Sequence, residues 1–263
     1  MSKPVDYRNL LIELRGTTAL VTFNRPEVLN AMNTETVQEL GSAVTALERN
    51  QAVRTIVLTG AGRAFIAGAD ISEMSTKTPA QARDYSALGH RVMRLIQCLN
   101  KPVIAAVNGF ALGGGTEVVL SCDIAIASEQ AKFGLPEAIL GIIPGWGATQ
   151  RAARLIGTAR TKELIFTGEI IDARKAFEIG LINRVVPHEQ LMDATFALAQ
   201  KIAEQGPLAL AMAKRAINEG VDKNLADACD LETELFSSLF TTTDQKEGMK
   251  AFLEKRKPQF TGT

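Results

Sequence analysis

Cysteine, histidine and net charge are all scarce in this chain, and each absence narrows what it does. The three cysteines, Cys98, Cys122 and Cys229, are odd in number and widely separated, which argues against a disulfide framework or a thiolate zinc site. Cys122, in an apolar stretch, reads as core. The two histidines, His90 and His188, stand alone and read as helix-surface or loop residues. No cluster with metal-ligand spacing is visible, so no metal is expected. Twenty-nine basic residues balance twenty-nine acidic ones, which argues against general affinity for nucleic acid or an anionic membrane. No uncharged apolar run reaches the roughly 18 residues of a membrane span, and Met1–Asn9 has no apolar signal core. The expected setting is cytoplasmic and reducing; a mitochondrial matrix protein stripped of its transit peptide reads the same way.

The familiar nucleotide and nucleophile motifs are missing too. Gly60-Ala61-Gly62 follows a strand-like run, yet Phe65 stands where a dinucleotide fingerprint needs its third glycine, and Gly145-Trp146-Gly147 fails at Gln150. There is no Gly-Lys-Ser/Thr phosphate loop and no Gly-x-Ser-x-Gly elbow.

What is present is a chain of 263 residues, 46% hydrophobic and 22% charged, able to bury the core of one large domain or a domain plus an extension. Leu10–Leu14 and Thr18–Asn24 read as strands around Arg15-Gly16. Thr34–Asn50 has helical spacing at Val37, Leu40, Val44 and Leu47, capped by Asn33 or Thr34. Thr55–Thr59 reads as a buried strand, followed by a Gly-rich loop over Gly60–Gly68. Thr78 and Pro79 open a helix to about Gln97. Pro102–Val107 and Asp123–Ala127 are further strands, and the alternation indicates an α/β core. Beyond residue 157 helical patterns dominate, over 158–166, 172–179, 189–205, 207–219, 223–240 and 243–257. The expected division is a core over 1–195 carrying the site and a helical region over 196–263. No internal repeat is convincing.

The chemistry concentrates in Val107–Glu117, where a strand passes through Gly113-Gly114-Gly115 into a helix expected over Thr116–Cys122. Glycines let a backbone approach a ligand, and the first amides of a helix have no internal acceptor. A second loop, Phe65–Asp70, also follows a strand. If the two strands are neighbours, the amides of Ala69 and Gly114 converge on one oxygen; the plainer alternative is that small residues merely allow tight turns. Glu117 and Glu137, each after a Gly- or Pro-marked turn, are the candidate acid/base pair. The alternative for each is a glutamate favoured in a first helical turn by the dipole and free amides.

Assembled, these residues resemble the enoyl-CoA hydratase (crotonase) family over essentially the whole length. The resemblance rests on Asn24-Arg25-Pro26 with Leu29–Asn33, Ala64–Met74, Lys101–Asp123, Phe133–Arg151 and Phe252–Lys257. It implies a spiral of ββα units followed by C-terminal helices, assembled as a trimer or a dimer of trimers. It also implies an acyl-CoA thioester substrate, with CoA entering as substrate and no cofactor. The amides of Ala69 and Gly114 match the oxyanion hole, and Glu117 and Glu137 match the two catalytic glutamates of true hydratases. Arg25, Val28, Leu29, Ala67, Asp70, Ile71, Gly113, Gly145 and Trp146 match substrate- and CoA-binding positions, Gly145 lining the catalytic pocket with its backbone.

Two departures are visible. Glu27 and Ser72 stand where relatives often carry lysine, so CoA affinity is expected to rest on Arg25, the backbone, and Lys255 or Lys257 of a neighbouring subunit. Trp146 occupies a position that is usually small: pointing inward it shortens the acyl pocket, pointing outward it packs at a subunit contact. The implied activity is reversible hydration of a short-chain trans-2-enoyl-CoA. Enoyl-CoA isomerisation, cyclic dienoyl-CoA hydration and a non-catalytic CoA-ester or RNA-binding scaffold are the alternatives.

Overall fold

A computed structural model describes residues 7–263; Met1–Asp6, most of the segment read as lacking a signal core, lie outside the described residues. In chain order, β1 (Leu10–Arg15) and β2 (Thr18–Phe23) form a hairpin and α1 (Thr34–Arg49) follows. Next come β3 (Thr55–Gly60), β4 (Ala64–Ile66), α2 (Ile71–Met74) and α3 (Pro79–Cys98). Then β5 (Val103–Val107), β6 (Phe110–Leu112) and α4 (Gly114–Val119) precede β7 (Ile124–Ser128), β8 (Lys132–Gly134), a 3-10 turn at Pro136–Leu140 and α5 (Ala148–Ile156). The rest is α6 (Thr158–Thr167), β9 (Ile170–Asp172), α7 (Ala173–Glu178), β10 (Arg184–Val186), α8 (Leu191–Ala203), α9 (Pro207–Gly220), α10 (Leu225–Leu239) and α11 (Thr243–Leu253).

The strands build two sheets. The larger runs β1-β2-β3-β5-β7-β10, parallel throughout except for the β1–β2 hairpin. The smaller runs β4-β6-β8-β9. Successive strands therefore step from the large sheet to the small one and back, with a helix or 3-10 turn after each step: β3-β4, β5-β6, β7-β8. This is the spiral of ββα units that the resemblance implies. The repeat is three-dimensional; nothing in the side chains repeats, so the sequence hid it.

Both faces of the large sheet are covered, which is why β3 and β5 read as unbroken apolar runs and not as alternating ones. On one face Ile56, Leu58, Val103 and Ala105 join Val37, Leu40 and Val44 of α1 and Val92, Met93 and Ile96 of α3. On the other, Val57, Ile104, Ala106 and Ile126 meet Leu191 and Ala199 of α8. The expected boundary between 195 and 196 thus falls inside a helix that covers the core sheet.

Local signals set the helix starts. Asn33 accepts from Thr36 N–H, and Thr78 forms a reciprocal capping box with Gln81 ahead of Pro79. The Gly60–Gly68 segment, expected as loop, contains β4. Three-residue strands carry no measurable period, so β4, β6, β8, β9 and β10 all escaped the pattern. Helix α4 starts at Gly114, two residues before expectation, and stops at Val119. Asn30, buried at 1% exposure, accepts from Arg25 N–H (2.8 Å) and donates to Ala61 O (2.9 Å) and Ala64 O (2.8 Å). That one side chain ties the Arg25–Asn33 turn to the start of β4.

Candidate active site

The parallel pairing of β4 with β6 (Ala64 with Phe110, Ile66 with Ala111) makes the two glycine loops neighbours, the condition that convergence required. Beyond β4, Met32 bridges Ala69: Met32 N–H donates to Gly68 O and Asp70 N–H to Met32 O. Neighbouring amides of an extended chain point to opposite sides, so the Ala69 N–H is turned away from Met32. Neither it nor the Gly114 N–H finds a protein acceptor among the described residues. Both residues line one cavity of about 860 Å³.

Each glycine of the triplet is required by a different neighbour. A Cβ on Gly113 would lie 2.9 Å from Glu137 Oε1, and its φ of 50° is unfavourable for any other residue. One on Gly114 would lie 2.5 Å from the Trp146 ring, and one on Gly115 only 2.0 Å from Ile66 O. The glycines therefore do more than turn the chain: they admit the second glutamate, the indole and the neighbouring strand.

Glu117 is 2% exposed, and its Oε1 accepts from Trp146 N–H (2.8 Å) and Ala148 N–H (2.9 Å) at the start of α5. Burial pushes its pKa up, while the Ala148 and Trp146 amides and the charge of Arg151 oppose the rise. Glu137 sits in the first turn of the 3-10 segment. Burial, with a contribution from the Glu117 charge, pushes it up to about 7. Its Oε2 is buried with no hydrogen-bond partner among the described residues. The cavity thus carries two buried carboxyls in unlike settings, Glu117 with one oxygen held by two amides and Glu137 with one oxygen left without a partner.

Ala67, Ala69, Ile71, Gly113, Gly114, Glu117, Glu137, Gly145 and Trp146 all line this cavity. Trp146 is 3% exposed and points inward, its ring centroid 5.3 Å from that of Tyr85. The side chain of Arg25 is directed to Asp70 at 3.2 Å, with Nη1 also on Ala31 O. Asp70 caps α2 by accepting from Ser72 and Glu73 N–H. The pair braces the Phe65–Asp70 loop. Val28 and Leu29 are outside the cavity, although Leu29 O receives Ala67 N–H. Lys255 is exposed just beyond α11 and outside the cavity.

Sequence reasoning missed the contribution of α3. Ala82, Ser86 and His90, spaced four apart, form a small or polar stripe along the cavity; that spacing was a readable signal. Ser86 Oγ donates to Gly145 O at 2.6 Å. Tyr85 OH donates to Met32 O at 2.8 Å, and Lys77 Nζ lies 4.8 Å from the Tyr85 ring centroid. His90, read as a surface residue, is exposed on its helix yet borders the cavity. His188 bonds Ser128 through Nδ1 at 3.0 Å, far from this chemistry. Cys122 is half-buried and donates to Val118 O, with burial pushing its thiol pKa up.

Comparison with known proteins agrees with this geometry. A family model described as enoyl-CoA hydratase/isomerase matches residues 13–263. The chain is 47% identical to the short-chain-enoyl-CoA hydratase of Clostridium acetobutylicum over 96% of this chain and 97% of that protein. It is 47% identical to the crotonyl-CoA hydratase of Syntrophomonas wolfei over 97% and 98%. The crystal structure of an enoyl-CoA hydratase from Bacillus anthracis superposes with a TM-score of 0.94 at 40% identity, covering 97% of this chain and all of that one. Two unpaired amides just beyond adjacent strands, two buried glutamates and full-length similarity lead to one conclusion: this chain belongs to the enoyl-CoA hydratase/isomerase family.

Proposed function

We propose that this protein is an enoyl-CoA hydratase that reversibly adds water to short-chain trans-2-enoyl-CoA, giving the 3-hydroxyacyl-CoA. The observation that carries the reading is the pair of buried carboxyls, Glu117 with one oxygen held by two amides and Glu137 with one oxygen left without a partner, beside two N–H donors that have no protein acceptor among the described residues. Relatives named for short-chain and crotonyl substrates support the choice of acyl length.

The thioester carbonyl oxygen accepts from the Ala69 and Gly114 N–H groups. These donors strengthen as the oxygen gains negative charge in the enolate, and losing one raises a barrier of this kind by roughly 3 kcal/mol. Oε1 of Glu117 is already engaged, so its second oxygen is the one available to take a proton from water. The resulting hydroxyl bonds to the β-carbon while Glu137, entering as the acid, gives its proton to the α-carbon. The pair begins with its one proton on Glu137 and ends with it on Glu117. Return of that proton resets the site, and the two carboxyls titrate as one coupled unit. Dehydration of the product is the same path reversed.

Trp146 sets the depth of the acyl pocket in this reading, since its ring stands against Gly114 and Tyr85. A homotrimer or a dimer of trimers completes it. Apolar side chains exposed on the C-terminal helices, among them Phe236, Phe240, Phe252 and Leu253, are the kind of surface that a subunit contact covers. Lys255 then reaches CoA from a neighbouring copy.

The test is loss of the conjugated enoyl-thioester ultraviolet absorbance on adding the protein to crotonyl-CoA. Glu117→Gln should fold normally, because an amide oxygen still accepts from Trp146 and Ala148, while hydration falls by about a thousandfold. Full activity in that variant would defeat the reading.

A further inference from the structure

The turn that holds Glu117 is itself held from behind. Trp146 and Ala148 donate their N–H groups forward to Glu117 Oε1. The carbonyl of Trp146 points the other way and accepts from Arg151 Nη1 at 3.0 Å. Arg151, in the first turn of α5, also donates from Nε to Gln97 Oε1 on α3 at 3.1 Å. Gln97 in turn receives Asn218 Nδ2 from α9 on its backbone oxygen at 2.9 Å. The guanidinium passes so close to Gly147 that a Cβ there would lie 2.1 Å from Nη1, and Gly147 has a φ of 116°. A half-buried arginine therefore folds back over a glycine to clamp the peptide that presents the donors.

We propose that Arg151 is a positioning residue for Glu117: it fixes the Trp146–Ala148 turn and keeps a cation behind the carboxylate, so that Glu117 is ionised and oriented when water arrives. The inference rests on Glu117 being the water-activating base. The titratable groups coupled to Glu117 come from three elements: Arg151 on α5, whose charge acts on it, and Glu137 on the 3-10 turn and the Tyr85 hydroxyl on α3, on which its own charge acts. His90 and Cys98, both on α3, face Arg151. Among these described groups Arg151 is the cation acting on Glu117, and its charge works against the desolvation of that carboxyl. Without it, Glu117 binds its proton more tightly and becomes a base only at higher pH.

The experiment measures kcat and KM against pH for full-length wild-type, Arg151→Gln and Arg151→Lys proteins with crotonyl-CoA. A second readout needs no turnover: Trp146 is the single tryptophan of the chain, and its emission is titrated against pH, with Glu117→Gln identifying the transition that belongs to Glu117. In Arg151→Gln the acidic limb of kcat should move up by about one pH unit, as expected for loss of a nearby opposite charge. That displacement alone lowers kcat about tenfold below the limb, with KM nearly unchanged, and the Trp146 transition should move the same way. Arg151→Lys should restore the limb towards its wild-type position. An unmoved limb and an unmoved Trp146 transition in a folded Arg151→Gln protein overturn the proposal, as does an equal displacement in the lysine variant. Should Arg151→Gln fail to fold, Gln97→Leu, which removes only the acceptor of Arg151 Nε, decides. A lower kcat with altered Trp146 emission supports the clamp, and both unchanged refutes it. Failure of the wild-type protein to hydrate any enoyl-CoA would instead defeat the functional reading, while the Trp146 titration would still report the coupling.

Discussion

Replacing Glu137 by glutamine should make the protein more stable at alkaline pH and nearly inactive. A carboxyl pushed up to about 7 from an unfolded value of 4.5 holds more protons folded than unfolded between those two values. Stability therefore falls as pH rises across that window, and the full cost is present above it. About two and a half pH units at 1.36 kcal/mol each set a ceiling of about 3 kcal/mol above pH 8. Near pH 5 most of that cost is absent. Water admitted by the cavity screens the charge, so the change in stability difference between pH 5 and pH 8.5 should be about 1–2 kcal/mol, roughly 3–6 °C in a chain of this size. The assay is thermal unfolding of wild-type and Glu137→Gln proteins in matched buffers at the two pH values. The comparison across pH cancels the fixed cost of seating an amide beside Gly113. Hydration should fall by about a thousandfold in the variant, since the α-carbon loses its acid. The reasoning is refuted if the variant's Tm relative to wild type is the same at pH 5 and pH 8.5. An advantage confined to acid pH would refute it equally.

Trp146→Ala should cost about 3 kcal/mol of stability through the cavity it leaves and should raise turnover of hexenoyl- and decenoyl-CoA relative to crotonyl-CoA. An unchanged preference, measured by the same absorbance assay, would remove Trp146 as the pocket floor. Gly115→Ala places a Cβ 2.0 Å from Ile66 O, a backbone atom that cannot rotate away, so β4 and α4 must separate. Lost soluble expression or a Tm lower by several degrees is expected, and wild-type Tm would show that the sheet yields more readily than argued.

What the sequence by itself determined is the set of features that depend on near neighbours. The hairpin around Gly16, the α1 start at Asn33 or Thr34 and the α3 start at Thr78-Pro79 follow from turn and cap chemistry acting over three or four residues. The buried strands β3 and β5 follow from unbroken apolar runs. Glu117 and Glu137 were legible as candidates because glycine and proline mark the turns before them, and the family motifs extend across the chain. What only the tertiary structure decided is everything set by distant partners. The pairing of β4 with β6 turns two glycine loops into neighbours, although neither strand is long enough to show a period. The inward aim of Trp146 follows from Gly89 and Gly114, residues 57 and 32 positions away, leaving room for its ring. Arg25 braces Asp70 because Asp70, 45 positions on, is carried to it by the turn that Asn30 ties down. The difference between the two carboxyls, one cradled by amides and one bare, arises from desolvation and hydrogen bonding that no local pattern encodes.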